Sequence, residues 1–430
     1  MTSALNLKPN WLNARIGICM VTGFSSGLPL FLLISLLSAW LRDSGVDLKA
    51  IGLLALVQFP YIWKFVWAPF CDRYDLGIGR RRSWMLLSQA TLIVAIPLFG
   101  LLDPATELPW ISGLAIFVAF FSATQDIALD AYRREILRSE EMGLGNVVHV
   151  NAYKISGLVP GALSLILADH LAWREVFLIT ALFMLPGFFL TLLTREPPIS
   201  SESPKSLRSA VLEPFDEFIH RKGWQHALWA LAFMFLYKLG DSMATALATP
   251  FYLDLGYSKT EIGLVAKNAG LWGSVAGGIL GGIWMIRLGQ NRALWIFGLI
   301  QAVVILGFGW LASQQPDPWE LAWVIGSEAF GMGLGTAAFV AFTANMTHPA
   351  FTATQFALFT SLAATPRTFA NAITGFLVEG GHLMILGHDF DIEGLGWRSF
   401  FLLCFLMAIP GLLLLPKVAP WNERIPHPNN

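Results

Sequence analysis

Charge is what this chain lacks. Only 13% of its 430 residues are Asp, Glu, Lys or Arg, about half the roughly 25% of an ordinary soluble domain. The net charge is −1, so there is neither a basic surface for nucleic acid nor an acidic tail. Cysteine is as scarce: Cys19, Cys71 and Cys404 lie far apart without CxxC or metal-ligand spacing, which excludes a disulfide scaffold. No catalytic triad, metal cluster or ATP-binding motif is present, so no cofactor is implied and any transport must draw on a gradient. The one glycine-rich run, Gly277-Gly278-Ile279-Leu280-Gly281-Gly282, is apolar and leads into no Lys-Ser/Thr pair. It reads as close helix packing and not as a phosphate loop.

Hydrophobic residues fill the space that charge leaves, at 55%. Runs of about 20 apolar residues span a bilayer, and their abundance excludes a soluble enzyme. Twelve candidate spans emerge, at 16–41, 50–70, 84–102, 108–132, 146–168, 176–194, 227–253, 268–286, 293–315, 319–345, 351–379 and 399–416. No signal peptide precedes the first: the opening 13 residues are polar, the run is too long for a signal core, and no A-x-A-like site follows it. The first helix is therefore expected to stay as an anchor. Arg73, Arg80 to Arg82, Arg133, Arg134, Arg138, Arg287 and Arg292 fall on one side of this topology. By the positive-inside rule that side, with both termini, is cytoplasmic.

The chain repeats itself. Trp173-Arg174, Phe177-Leu178, Leu182 and Pro186-Gly187 recur as Trp397-Arg398, Phe401-Leu402, Leu406 and Pro410-Gly411, at an offset of 224. A fainter echo links Gly45 and Ile51-Gly52-Leu53 to Gly256 and Ile262-Gly263-Leu264, at an offset of 211. The expected architecture is an all-α polytopic membrane protein: a six-helix half over 1–194, a cytoplasmic linker over 195–224, a second half over 225–416 and a tail over 417–430. Two parallel repeats of this kind build a transporter with its site near the midplane, between the halves.

Ionisable groups at membrane depth are costly and point to function. The acids within spans are Asp126, Asp130, Asp241 and Glu328, and the bases are Lys64, Lys154, Lys238, Lys267 and Arg367. Asp126 and Asp130, four apart, share one helix face. Like charges so close favour binding of a proton by one of them, which suits a proton-coupled carrier. Alternatively, Asp130 pairs with Arg133 or Arg134 at the rim as a structural lock. Lys238 and Asp241 form an i,i+3 pair that either neutralises itself or opens when a substrate carboxylate competes. Lys267 and Asn268 begin a span, where the lysine can also snorkel. Lys154 and Arg367 sit at similar places in the two halves, six to eight residues before Gly161 and Gly375. They await either interhelical partners or an anionic substrate. Glu328 and Gln355 add polar lining, and the slightly cationic set suits a cargo bearing carboxylates or phosphates. Most aromatics read as lipid-facing or interfacial.

Ala68-Pro69-Phe70-Cys71-Asp72-Arg73-Tyr74, followed by Gly79-Arg80-Arg81-Arg82, resembles the cytoplasmic signature of the major facilitator superfamily. The resemblance implies that Asp72, Arg73, Arg80 and Arg81, with Arg133 and Arg134 nearby, gate the halves. The matching second loop, Gly281 to Arg287 and Arg292, lacks the acid. Further motifs are Gly23-Phe24-Ser25-Ser26-Gly27-Leu28-Pro29-Leu30, Lys64-Phe65-Val66-Trp67-Ala68-Pro69 and Ser122-Ala123-Thr124-Gln125-Asp126-Ile127. Tyr237-Lys238-Leu239-Gly240-Asp241, Gly331-Met332-Gly333 with Gly335-Thr336, and Ala353-Thr354-Gln355-Phe356-Ala357-Leu358 complete the set. Together they resemble the AmpG-type muropeptide permeases of that superfamily.

Such a resemblance implies proton-driven import of GlcNAc-1,6-anhydroMurNAc peptides across a Gram-negative inner membrane, for wall recycling and β-lactamase induction. It makes Asp126 and Gln125 the leading coupling residues and Lys238, Asp241, Lys267 and Glu328 polar groups of the cavity. This chain has no spans beyond twelve, unlike some members, and its loop 380–396 looks longer than the family pattern. A related carrier for acetyl-CoA, a siderophore or a drug is the alternative; a receptor on the same fold is another.

Overall fold

The computed structural model describes residues 13–75, 77–138, 141–196, 223–346, 359, 361, 364–365, 367–385 and 388–422. Gln355, most of the span 351–379 and most of the linker 195–224 lie outside these residues, as do the side chains of Asp72 and Arg73.

Nine helices among the described residues are long and apolar enough to cross a membrane. These are α1 (Ala14–Asp43), α3 (Arg80–Leu101), α4 (Leu108–Ile136), α5 (Gly145–Ala168), α6 (Trp173–Leu193), α8 (Lys259–Leu288), α9 (Gln290–Leu311), α10 (Pro318–Thr343) and α12 (Gly396–Val418). Two further expected spans are interrupted helices. The first, α2 over 48–73, passes through 3₁₀ turns at Leu54–Gln58 and Lys64–Val66. Pro60 and Pro69 explain both, because a proline has no N–H for the carbonyl four residues back, here Leu56 and Phe65. The second, α7 over 224–254, breaks after Leu236 and again at Leu247; Pro250 leaves the Ala246 carbonyl without its helical donor in the same way. A short helix, α11 (Thr374–Glu379), lies at the end of the expected eleventh span.

One element departs from the all-helical expectation. Within 380–396, read above as a loop, β1 (Gly381–Ile385) pairs antiparallel with β2 (His388–Ile392), from Gly381 opposite Ile392 to Ile385 opposite His388. Asp389-Phe390-Asp391-Ile392 alternates with the strand period of two, over too few residues to register beside the long apolar runs.

Helices α1 to α6 pack mainly on one another, and so do α7 to α10 with α12, while α11 packs chiefly on α2. The sequence repeat has a packing counterpart. In the first bundle Phe177 meets Trp40 at 5.1 Å, Phe99 at 5.5 Å and Trp173 at 6.2 Å between ring centroids. In the second, Phe401 meets Phe251 at 4.8 Å, Phe308 at 5.1 Å and Trp397 at 6.0 Å. Each repeated Phe and Trp thus closes the same aromatic knot at the same end of its bundle.

The glycine run packs α8 against α10. A Cβ on Gly277 would collide with the Phe330 carbonyl, and one on Gly281 would lie 3.1 Å from Ala337 Cβ, whereas Gly278 and Gly282 face open space. Gly277→Leu is therefore expected to lower the melting temperature of the purified protein, overpacking costing about 1–3 kcal/mol. Gly278→Leu should leave it unchanged; equal shifts from both would refute the packing assignment.

Candidate functional site

Three of the sequence motifs converge inside the first bundle. On α4, Thr124 accepts a hydrogen bond from Trp67 Nε1 at 3.1 Å. The fully buried Gln125 donates through Nε2 to Ser25 Oγ at 3.1 Å. Asp126 Oδ1 accepts from Ser26 Oγ at 2.5 Å. Successive helix positions turn by about 100°, so this run reaches α2 and then two neighbouring serines of α1. Lys64, in the 3₁₀ turn of α2, places its Nζ 3.8 Å from Asp126 Oδ2 and 3.9 Å from Asp130 Oδ2. Arg133 Nη2 lies 2.9 Å from Asp130 Oδ1. The Asp126 side chain is 11% exposed and that of Asp130 39%. Asp126 is thus deep, Asp130 opens toward solvent, and Lys64 spans the two.

The second bundle holds a matching polar core. Lys238 Nζ donates to Gln301 Oε1 of α9 at 2.9 Å and lies 3.4 Å from Asp241 Oδ2. Glu328 of α10 is buried, and its carboxyl meets that of Asp241. Ser242 and Asn371 share a 2.9 Å hydrogen bond between α7 and the eleventh span. Lys267 donates to Thr249 at 2.9 Å, and its stem passes Gly161 of the other bundle, where a Cβ would lie 3.3 Å from Lys267 Cδ. Asn268 is satisfied by the Leu264 carbonyl of its own helix at 2.9 Å. Lys154 and Arg367 are half-buried, without a hydrogen-bond or ion-pair partner among the described residues.

Of the gating set, Arg81 and Arg80 face Glu135 at 3.1 and 3.8 Å. The Arg81 backbone N–H donates to Glu196, just past α6, at 2.9 Å. Arg133 belongs to the Asp130 pair, and Arg134 is exposed.

Polar contacts between the bundles gather at the opposite end. Arg42 binds Asp254 through two bonds of 2.6 and 2.9 Å and reaches Glu379 at 3.3 Å. Lys259 reaches Asp43 at 3.0 Å and Asp169 at 3.7 Å. Glu379 accepts the N–H of Leu48 at the start of α2, at 3.0 Å. Asp169 accepts that of Thr260 at the start of α8, at 2.7 Å. Each carboxylate sits on a helix N-terminus of the other bundle, where the dipole favours it. Trp173 and Trp397 steady this arrangement by donating to Asp43 at 2.9 Å and Asp254 at 3.1 Å.

Reading ionisable residues within spans missed Ser25, Ser26 and Gln301, which are neutral, and left Lys64 without a task. Ser25 and Ser26 did lie inside a motif, and Gln301 is a polar residue in an otherwise apolar run. The seam acids Asp43, Asp169, Asp254 and Glu379 carried no signal, because charges in loops between spans are ordinary.

The model of the Major Facilitator Superfamily matches residues 19–371. A protein of Haemophilus influenzae, "Uncharacterized protein", is 48% identical over 97% of this chain and 98% of its own. The "Anhydromuropeptide permease" of Escherichia coli K12 is 38% identical over 93% of this chain and 79% of its own. Among solved structures, the nucleoside transporter NupG superposes with a TM-score of 0.71 at 12% identity, over 94% of this chain and 99% of that one. The superposition shows the fold, and the family model with the 38% identical permease shows the lineage: this chain is a multi-pass membrane transporter of the Major Facilitator Superfamily, belonging to its AmpG-type permeases.

Proposed function

We propose that this protein imports anhydro-muropeptides from the periplasm to the cytoplasm across the bacterial inner membrane, coupled to protons, by alternating access. The likeness to a permease of that name over nearly the whole chain carries the cargo. The buried Asp126, held by Ser26 and Lys64, carries the coupling, with the more exposed Asp130 on its route to the cytoplasm. Halves at 1–194 and 225–416, a cytoplasmic linker at 195–224 and a cytoplasmic tail at 417–430 complete the reading. The arginine-rich end is then cytoplasmic, and the end closed by Arg42, Asp254 and Lys259 is periplasmic.

Lys154, Arg367 and Lys267 suit the carboxylates of a peptide stem, with Gln125, Asn268 and Gln355 as further substrate-binding groups; Lys238, Asp241 and Glu328 form the triad that cargo perturbs. An apolar groove of about 410 Å³, lined by Phe59, Trp63, Trp67 and Phe120, offers aromatic faces to sugar rings. Asp72, Arg73, Arg80, Arg81, Arg133 and Arg134 belong to the cytoplasmic gate in this reading.

The test is uptake of labelled anhydro-muropeptide into membrane vesicles. Saturable accumulation that collapses with the proton gradient is expected. Accumulation indifferent to the gradient would remove the coupling, and no saturable uptake would remove the cargo.

A further inference from the structure

Lys64 has no role in the reading above beyond neighbouring Asp126, yet it occupies the point where three motifs meet. We infer that Lys64 is a proton-gated anion-binding residue: a proton on Asp126 releases its ammonium to a carboxylate of the cargo. The inference rests on the proton-coupled import proposed above and deepens it.

The geometry has two parts. Each acid has one oxygen held tightly, Asp126 Oδ1 by Ser26 at 2.5 Å and Asp130 Oδ1 by Arg133 at 2.9 Å. Lys64 shares the remaining oxygens at 3.8 and 3.9 Å, well beyond the roughly 2.7–2.9 Å of a charge-assisted hydrogen bond. It is therefore the loosely held member of the cluster. Its side chain is also 33% exposed against 11% for Asp126, so the base is the less covered partner of the two. The 3₁₀ turn at Lys64–Val66 and Pro69 beyond it set this part of α2 apart from the regular helix around it.

Charge bookkeeping supplies the coupling. Asp126 and Asp130 balance Lys64 and Arg133. One proton on Asp126 leaves a single positive charge in excess, which a low-dielectric site tolerates poorly. A cargo carboxylate on Lys64 restores neutrality. When the proton leaves Asp126 toward the cytoplasm, the carboxylate it exposes reclaims Lys64 and the cargo loses its partner. No bond other than that to the proton forms or breaks. The other titratable groups facing the two acids are Tyr61 of α2 and Tyr153 and His149 of α5, beside Arg133 of α4.

The experiment is equilibrium binding of labelled anhydro-muropeptide to the purified full chain in lipid nanodiscs between pH 5 and pH 8. Wild type is expected to bind more tightly as pH falls, because protonation of Asp126 frees Lys64. Asp126→Asn should bind at the acid-limit affinity with a flat profile. Lys64→Gln should bind about tenfold or more weakly at acid pH, the loss of one charged hydrogen bond, and Lys64→Arg should keep most of the affinity. Lys64→Gln leaves Asp126 without its cation and risks misfolding. The double variant Lys64→Gln/Asp126→Asn removes that risk and should still bind weakly. If it binds as Asp126→Asn does, Lys64 only neutralises Asp126 and the inference is overturned while the import reading stands. Wild type that binds no cargo at any pH overturns the import reading, and the inference with it.

Discussion

Asp126→Asn is expected to abolish concentrative uptake of anhydro-muropeptide while leaving exchange across the membrane partly intact. Asparagine fills the same volume and can still accept the Ser26 hydroxyl bond now made at 2.5 Å, so the α1–α4 contact survives. What it cannot do is bind and release a proton. Moving one charge through 100 mV is worth about 2.3 kcal/mol, or roughly a fifty-fold concentration ratio. Without coupling, that ratio should fall to about one. The check is counterflow and accumulation assayed on the same vesicles. Retained counterflow with lost accumulation is the expected pair. Full accumulation by the variant would clear Asp126 of the role, and Asp130→Asn would then be the next residue to test.

Gly375→Leu is expected to cut uptake at least tenfold by propping open the end sealed by Arg42, Asp254 and Lys259. The two bundles meet there at two seams. At one, a Cβ on Gly375 would collide with the Leu48 carbonyl, and one on Gly52 would lie 3.1 Å from Gly375 N. At the other, a Cβ on Gly263 would lie 2.7 Å from the Ala162 carbonyl oxygen. Gly52 and Gly263 are equivalents at the 211-residue offset, so each seam brings a glycine of one repeat against the other bundle's backbone.

The charged links above these seams are weaker constraints. Arg42 and Asp254 are each about one-fifth exposed, and exposed pairs contribute about 0–1 kcal/mol. A carboxylate at a helix N-terminus adds about 0.3–1 kcal/mol. Backbone in contact with backbone, in contrast, has nowhere to move. Arg42→Gln should therefore slow transport only a few-fold. A membrane-impermeant maleimide gives the readout in a background without Cys19, Cys71 and Cys404, with Thr249→Cys as the probe. Thr249 is buried beneath the seal, so external labelling should be fast with Gly375→Leu and slow without it. Protected Cys at 249 together with normal uptake would sink the glycine seal.

How much of this was legible from the residues alone differs between the bundles' ends. The apolar runs and the arginine bias required nothing beyond composition and order. The Asp126–Asp130 spacing placed both acids on one helix face, because helical periodicity is local. The partners of Asp126 were not legible: Ser26 lies 100 residues away and Lys64 on a third helix. That Lys238 pairs with Asp241 followed from three-residue spacing, yet its shorter bond goes to Gln301, 63 residues on. The hairpin at 381–392 was missed because two five-residue strands carry little periodic signal.

The amino-acid sequence by itself determined the solvent. A chain this poor in charge and this rich in apolar runs must bury its helices in lipid, and its repeats and motifs place it among two-halved carriers. Hydrophobic length, periodicity and motif order are properties of the chain as written. Only the tertiary structure decided which scattered charges share a site, because a helix turns its residues outward to partners that contact order alone does not reveal. It gathered the scarce charges into a buried cluster at Asp126, Lys64 and Asp130, a second around Lys238, Asp241 and Glu328, and a seal of Arg42, Lys259 and four acids at one end. Burial in low dielectric favours the pairing seen in each of these groups, and pairing across helices is a property of the fold.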